Sequence, residues 1–172
     1  LAEANVLDAS NPNAWASLAI VSLVAEPPRI DEAERATSAA FKRGVDDVET
    51  LAEMADRFMR VGGWKHAEAA ARRAVKHGAG VETRLCLARA SRERGDAEGA
   101  AAELKYALAL AADRGGDDDG DDGDDATGAG AVGVPFLVPE LLEELASVYD
   151  ELGDARRAEE CRRDLRALER EQ

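Results

Sequence analysis

The sequence predicts an all-α fold, a solenoid of stacked helical hairpins, on three observations. Apolar residues recur at the i, i+3, i+4, i+7 spacing of a helix face in segment after segment, and no alternating strand pattern interrupts them. Glycines and prolines punctuate these stripes where helices would stop. Ala33, Ala67, Ala100 and Ala158 each stand early in the second stripe of a pair, at separations of 34, 33 and 58 residues. The last interval exceeds the first by 24, about the length of a Gly/Asp-rich segment inside it. Four units with one insertion account for this spacing better than two domains and a linker.

Residues 1–10, beginning LAEANVLDA, read as the second helix of a truncated preceding unit. The first full unit spans 12–44. Asn11 is its N-cap and Pro12 its first helical residue, a position that needs no N–H. Trp15, Leu18, Ala19 and Ser22 form its first stripe, and Pro27-Pro28 stops it. A second helix from Asp31 carries Ala33, Ala36, Thr37, Ala40 and Phe41 and ends at Gly44.

The second unit, 46–78, opens on the capping pair Asp46-Asp47. Val48, Leu51, Ala52, Ala55, Phe58 and Met59 share one face of its first helix. Gly62-Gly63 ends that helix, since glycine takes φ > 0 without penalty. Trp64, Ala67, Ala71, Ala74 and Val75 follow, up to His77-Gly78. That alanine-rich seam lets two helix backbones approach closely.

In the third unit, 80–112, Leu85, Leu87, Ala88 and Ser91 precede a stop at Gly95. Asp96 caps the partner helix, which carries Ala97, Ala100, Leu104, Ala107 and Leu108. Residues 113–134 are glycine-rich and like-charged, so they cannot offset the entropy of ordering and read as a disordered insertion. Order is expected to resume near Pro139, in a fourth unit at 138–170. Leu141, Leu142, Leu145, Ala146 and Tyr149 form its first stripe; Ala155, Ala158, Cys161, Leu165 and Leu168 follow Gly153. A lone hairpin cannot bury both its faces, so residues 1–172 are read as one domain.

Composition narrows the function. Apolar residues make up 45% of the 172 but aromatics only 4%, so the core must be built from Ala, Leu and Val. The net charge is −14, and seven aspartates between 117 and 125 account for half of it. Without clustered Lys and Arg to neutralise phosphates, no nucleic-acid partner is expected. No run approaches the ~20 apolar residues of a membrane span, so no membrane role is expected. Cys86 and Cys161 lack metal-like spacing and read as reduced, partly buried thiols of an intracellular, cytoplasmic protein. The chain begins at Leu1 rather than Met and reads as a fragment of a longer protein.

No catalytic constellation is visible, and no cofactor or metal site is expected. His66 and His77 form no HExxH pattern and read as surface or turn histidines. Glu143-Glu144 and Glu159-Glu160 read as solvated carboxylates on exposed faces. The aspartate run offers no frame with the EF-hand loop's ligand positions.

A period of 34 with paired helices resembles the tetratricopeptide repeat (TPR). Its signature recurs in register: Trp15-x-x-Leu18-Ala19 with Ala33 and Ala40, then Met54-Ala55, Phe58, Gly62, Trp64, Ala67 and Ala74. Leu87-Ala88, Gly95-Asp96, Ala100 and Ala107 continue it, and Leu145-Ala146, Tyr149, Gly153-Asp154 and Ala158 complete it. Three positions depart from the pattern: Pro27-Pro28 lengthens the first turn, Arg84 replaces a large apolar residue, and Leu165 replaces a small one. More narrowly, NPNAWASLAIVSL followed by AFKRG is similar to the C-terminal repeats of certain cilia- and flagella-associated TPR proteins.

The resemblance implies a right-handed superhelix whose first helices line a concave groove. The groove positions would be Asn13, Ala16, Ile20 and Leu23, then Glu49, Ala52, Asp56 and Met59. Glu82, Leu85, Arg89 and Arg92 would follow, then Glu140, Glu143, Ser147 and Asp150. Such a surface runs from apolar through mixed and then cationic to acidic, and suits a peptide or helix with an apolar anchor and separated charges. Chaperone-tail receptors of this family clamp a terminal carboxylate with Lys, Arg and Asn. The corresponding surface here offers Ala16, Ile20, Glu53, Glu82 and Cys86, so chaperone C-terminal peptides are not expected to bind.

The leading expectation is a non-catalytic interaction scaffold within a larger complex-organising protein, which the narrower resemblance places in the cilium or flagellum. The alternative is a regulatory or substrate-recruiting segment of a larger enzyme. Single-stranded RNA binding, known for related helical repeats, is disfavoured by the acidic balance. Self-association through an apolar edge at Leu1–Ala9 stays open.

Overall fold

The computed structural model describes residues 10–114 and 134–171, and within them eight helices form four consecutive hairpins. These are α1 (Pro12–Val24) with α2 (Ile30–Lys42), and α3 (Val48–Arg60) with α4 (Trp64–Lys76). The third pairs α5 (Val81–Glu93) with α6 (Ala97–Arg114), and the fourth α7 (Val134–Glu151) with α8 (Ala155–Glu171). The all-α array of stacked helical hairpins expected from the spacing is therefore the fold adopted. The expected partial helix at 1–10 and the acidic insertion at 113–134 fall, apart from their edge residues, outside the described residues, as does the proposed apolar edge at Leu1–Ala9.

Local chemistry explains where the helices begin. The Asn11 carboxamide accepts from the Asn13 N–H at 2.9 Å, and the Asp47 carboxylate from the Thr50 N–H at 2.8 Å. Hydrogen bonds from the Thr50 hydroxyl and backbone hold the Asp47 carboxyl below its ordinary pKa. Asp96 and Asp154 accept in the same way from Gly99 and Arg157, at 2.8 and 3.1 Å. The last two hairpins depart from expectation: α6 runs on through Arg114, two residues into the expected insertion, and the fourth hairpin starts early. α7 starts at Val134, not near Pro139, and Pro139 lies inside it. The apolar residues Leu137 and Val138 pack against the C-terminal core, which extends the helix past a proline near its start.

Two cores meet at α5. Leu51, Met54, Phe58 and a set of fully buried alanines form the first, and α5 contributes Leu87 and Ala90 to it. Leu104, Leu141, Leu145 and Val148 belong to the second, to which α5 contributes Val81, Leu85 and Ala88. α5 is thus buried on opposite sides and forms the wall between the two cores.

The stacking is not uniform, and this shapes the concave side. At the first junction α3 lies close against α1, where Ala16, Ala19 and Ala55 are all fully buried. At the next two junctions the close neighbour is instead the preceding second helix: α4 for α5, and α6 for α7. First helices therefore draw apart from α3 onward, and a gap opens between α3, α5 and α7. Among the described residues no helix is long and apolar enough to cross a membrane.

Candidate protein-binding groove

The gap is a groove of about 440 Å³. α3 supplies Ala52, Glu53, Asp56 and Met59, and α5 supplies Glu82, Thr83, Leu85, Cys86 and Arg89, while Glu140 of α7 closes one end. Helical spacing puts Ala52, Asp56 and Met59 on one face of α3, and Glu82, Cys86 and Arg89 on the facing side of α5. Ala52, Met59 and Leu85 make an apolar floor. Glu53, Asp56 and Glu82 make the rim acidic. Arg57 and Arg60 pair with Glu53 and Asp56 at 3.3 and 2.8 Å, but Glu82 is exposed and has no ion-pair partner among the described residues.

Ion pairs bridge the α5–α7 side, where the helices approach less closely than α1 and α3 do. Arg89 donates to Glu140 and Glu144, each at 2.7 Å. Arg92 donates to Glu144 at 3.2 Å, to Ser147 at 2.8 Å and to Glu151 at 2.7 Å. Burial works against charge on Arg89, but its bonds to Glu140 and Glu144 outweigh that penalty and raise the guanidinium above its ordinary value. In the groove wall, burial and the Asp56 carboxylate push the Cys86 thiol up to about 11, against the opposing pull of Arg89. Cys86 is therefore a protonated, weakly reactive thiol at neutral pH.

Of the positions expected to line a groove, Ala52, Asp56, Met59, Glu82, Leu85, Arg89 and Glu140 come together here. Ala16 and Leu23 do not, because the close approach of α3 to α1 buries them in the first core. Asn13 and Glu49 are exposed and Ile20 is half-buried, all three outside this groove. Glu143 is exposed, and Asp150 pairs with Arg162 of α8. Arg92 and Ser147 belong to the ionic bridge. Hence the expected run from cationic to acidic surface does not exist as two free zones, for the cations of α5 are spent on the carboxylates of α7. Glu144, read from sequence as simply solvated, is a partly buried partner of both arginines.

Thr83, Glu144 and Glu151 were not anticipated. The available signal was complementarity: arginines three apart on one first helix, and glutamates four and seven apart on the next. His66 also departs from expectation, since it stacks on Phe58 with ring centroids 5.0 Å apart and sits 3.3 Å from Glu34. Arg84, the departure noted in the third unit, is accommodated by Glu103 at 2.7 Å and by the Tyr106 ring at 4.0 Å. Among the described residues, no group of three or more His, Cys, Asp or Glu could hold a metal ion.

Among the solved structures that share this fold, two are 20% and 18% identical to the chain. One, titled "Crystal structure of MamA", superposes with a TM-score of 0.59, covering 81% of this chain and 68% of its own. The other, "Crystal structure of MamA protein", gives 0.63, with 92% and 73% covered. No curated protein matches the chain significantly in sequence. Residues 1–128 match the family described as the cilia and flagella-associated protein 70 C-terminal domain. That match covers well over half of the 172 residues, and the chain belongs to this family.

Proposed function

We propose that this chain is a non-catalytic interaction module whose α3/α5/α7 groove holds a peptide or helix of a partner protein. The observation that carries this reading is the pairing of an apolar floor with an acidic rim in a concavity between stacked hairpins. Met59 is half-buried and its unbranched side chain is suited to receive an apolar anchor, and Glu82, an uncompensated carboxylate among the described residues, lines the same groove. The partner segment would carry an apolar side chain flanked by Lys or Arg. The family description supports a setting within a larger, complex-organising protein of the cilium or flagellum. No basic carboxylate clamp lines the groove, so free chaperone C-termini are not among its ligands.

Selection from a displayed random-peptide library tests this. Wild-type protein is expected to enrich peptides with an apolar residue next to basic ones, and Met59→Glu or Glu82→Lys should abolish their binding. Enrichment of binders indifferent to both substitutions would refute the assignment.

A further inference from the structure

The opposite face of the array carries a second, chemically inverse feature. Between α2 and α4 lies an open cleft of about 780 Å³, whose lining includes Arg35, Lys42 and Lys65. The two helices run parallel, since Glu34 meets His66 and the guanidinium of Arg73 lies 4.2 Å from the Phe41 ring centroid, at the same offset along both. Arg35 and Lys42 are two turns apart on one side of α2; Lys65 and Lys76 are three turns apart on one side of α4. All four are exposed, as is Arg73.

These cations are unusual in this molecule for what they lack. Arg57, Arg60, Arg84, Arg89, Arg92 and Arg94 all pair with carboxylates, and so do the arginines of α8 from Arg156 to Arg166. Arg35, Lys42, Lys65, Arg73 and Lys76 have no carboxylate partner among the described residues. Among the described residues Arg35 bonds the Asp31 carbonyl and no carboxylate, which leaves its charge uncompensated there. Of the cleft's two carboxylates, Glu34 is engaged by His66. A row of unspent positive charge in a chain of net charge −14 is not explained by folding.

We propose that this convex α2/α4 cleft is a second docking site, and that its occupant is an acidic, Asp/Glu-rich segment of a partner protein. Charge complementarity selects the sign, and the shallow floor at Ser38 and Ala39 admits an extended backbone. A peptide is favoured over nucleic acid because the attraction is local. The row of cations spans three helical turns, about 16 Å and under two ~10 Å screening lengths, while the molecule's net negative charge repels a long polyanion.

The test is a fluorescence-anisotropy titration of the whole chain with a labelled octaglutamate peptide at low and physiological salt. Saturable binding that weakens with salt is expected, with a loss of about tenfold or more in Lys42→Glu/Lys65→Glu, whose exposed positions leave the melting temperature unchanged. Absence of binding, or binding insensitive to that double substitution, overturns the site. Equal or tighter binding of a single-stranded DNA octamer overturns the peptide assignment. At physiological salt, where long-range repulsion is screened, replacing the seven aspartates between 117 and 125 by Asn should leave octaglutamate affinity unchanged. A rise would transfer the site to the chain's own acidic stretch and overturn the assignment to a partner.

Discussion

The Nε of Arg89 on α5 donates a 2.7 Å hydrogen bond to the Glu144 carboxylate on α7, and Glu144 also accepts from Arg92 at 3.2 Å. One glutamate thus ties two arginines across a junction where the first helices approach less closely than α1 and α3 do. Glu144→Ala should cost about 1–2 kcal/mol, because both guanidiniums are partly buried and each loses a charge-assisted bond. The loss should shrink at high salt, since the pair is partly exposed. Equilibrium denaturation at two ionic strengths measures both effects, and a neutral substitution would show that the bridge contributes nothing.

Gly62 and Gly63 serve different ends. Gly62 has φ +73°, the left-handed conformation that ends α3. Gly63 has no such requirement; a Cβ there would stand 2.7 Å from Cδ1 of Phe58, which is fully buried and cannot withdraw. Gly63→Ala is therefore expected to destabilise by about 1–3 kcal/mol through overpacking. Phe58→Leu should relieve part of that cost in a double-mutant cycle, and strict additivity would exclude the contact.

Ala67 is fully buried in the first core, at the alanine-rich seam of α4. Ala67→Leu should force the helices apart and cost about 1–3 kcal/mol. An unchanged unfolding midpoint would place the close contact elsewhere.

Cys86 gives the molecule an alkaline signature. Its folded pKa is raised from 9.0 to about 11, so between these values the unfolded chain releases the thiol proton first. Stability contributed by the protonated thiol is whole below pH 9 and is lost progressively as pH rises toward 11. Cys86→Ala should remove that slope from the pH dependence of unfolding. Alkylation of Cys86 by iodoacetamide should also be slow at pH 8 and accelerate toward pH 11, with bound peptide slowing it further.

Helix count, hairpin order and caps could be read from the sequence because they depend on local chemistry. Asn11, Asp47 and Asp96 cap helices where their side chains can reach backbone N–H groups two or three residues on. The groove was only half visible. Positions on α3 and α5 followed from helical periodicity, but periodicity cannot tell how far apart stacked helices stand. Close approach of α3 to α1 buried Ala16 and Leu23, and wider spacing from α5 to α7 drew Arg89 and Arg92 into pairs with residues more than fifty positions away. The early start of α7 was missed for a related reason: Pro139 signals a helix boundary locally, and only the packing of Leu137 and Val138 overrides it.

The groove can be watched through the chain's two methionines. Met59 lines it, while Met54 is fully buried in the first core. Methyl resonances of ¹³C-methionine-labelled protein, titrated with a library-selected peptide, report both sites at once. Occupancy of the groove shifts Met59 in proportion to bound peptide and leaves Met54 in place. A peptide that binds with Met59 unmoved contradicts the account.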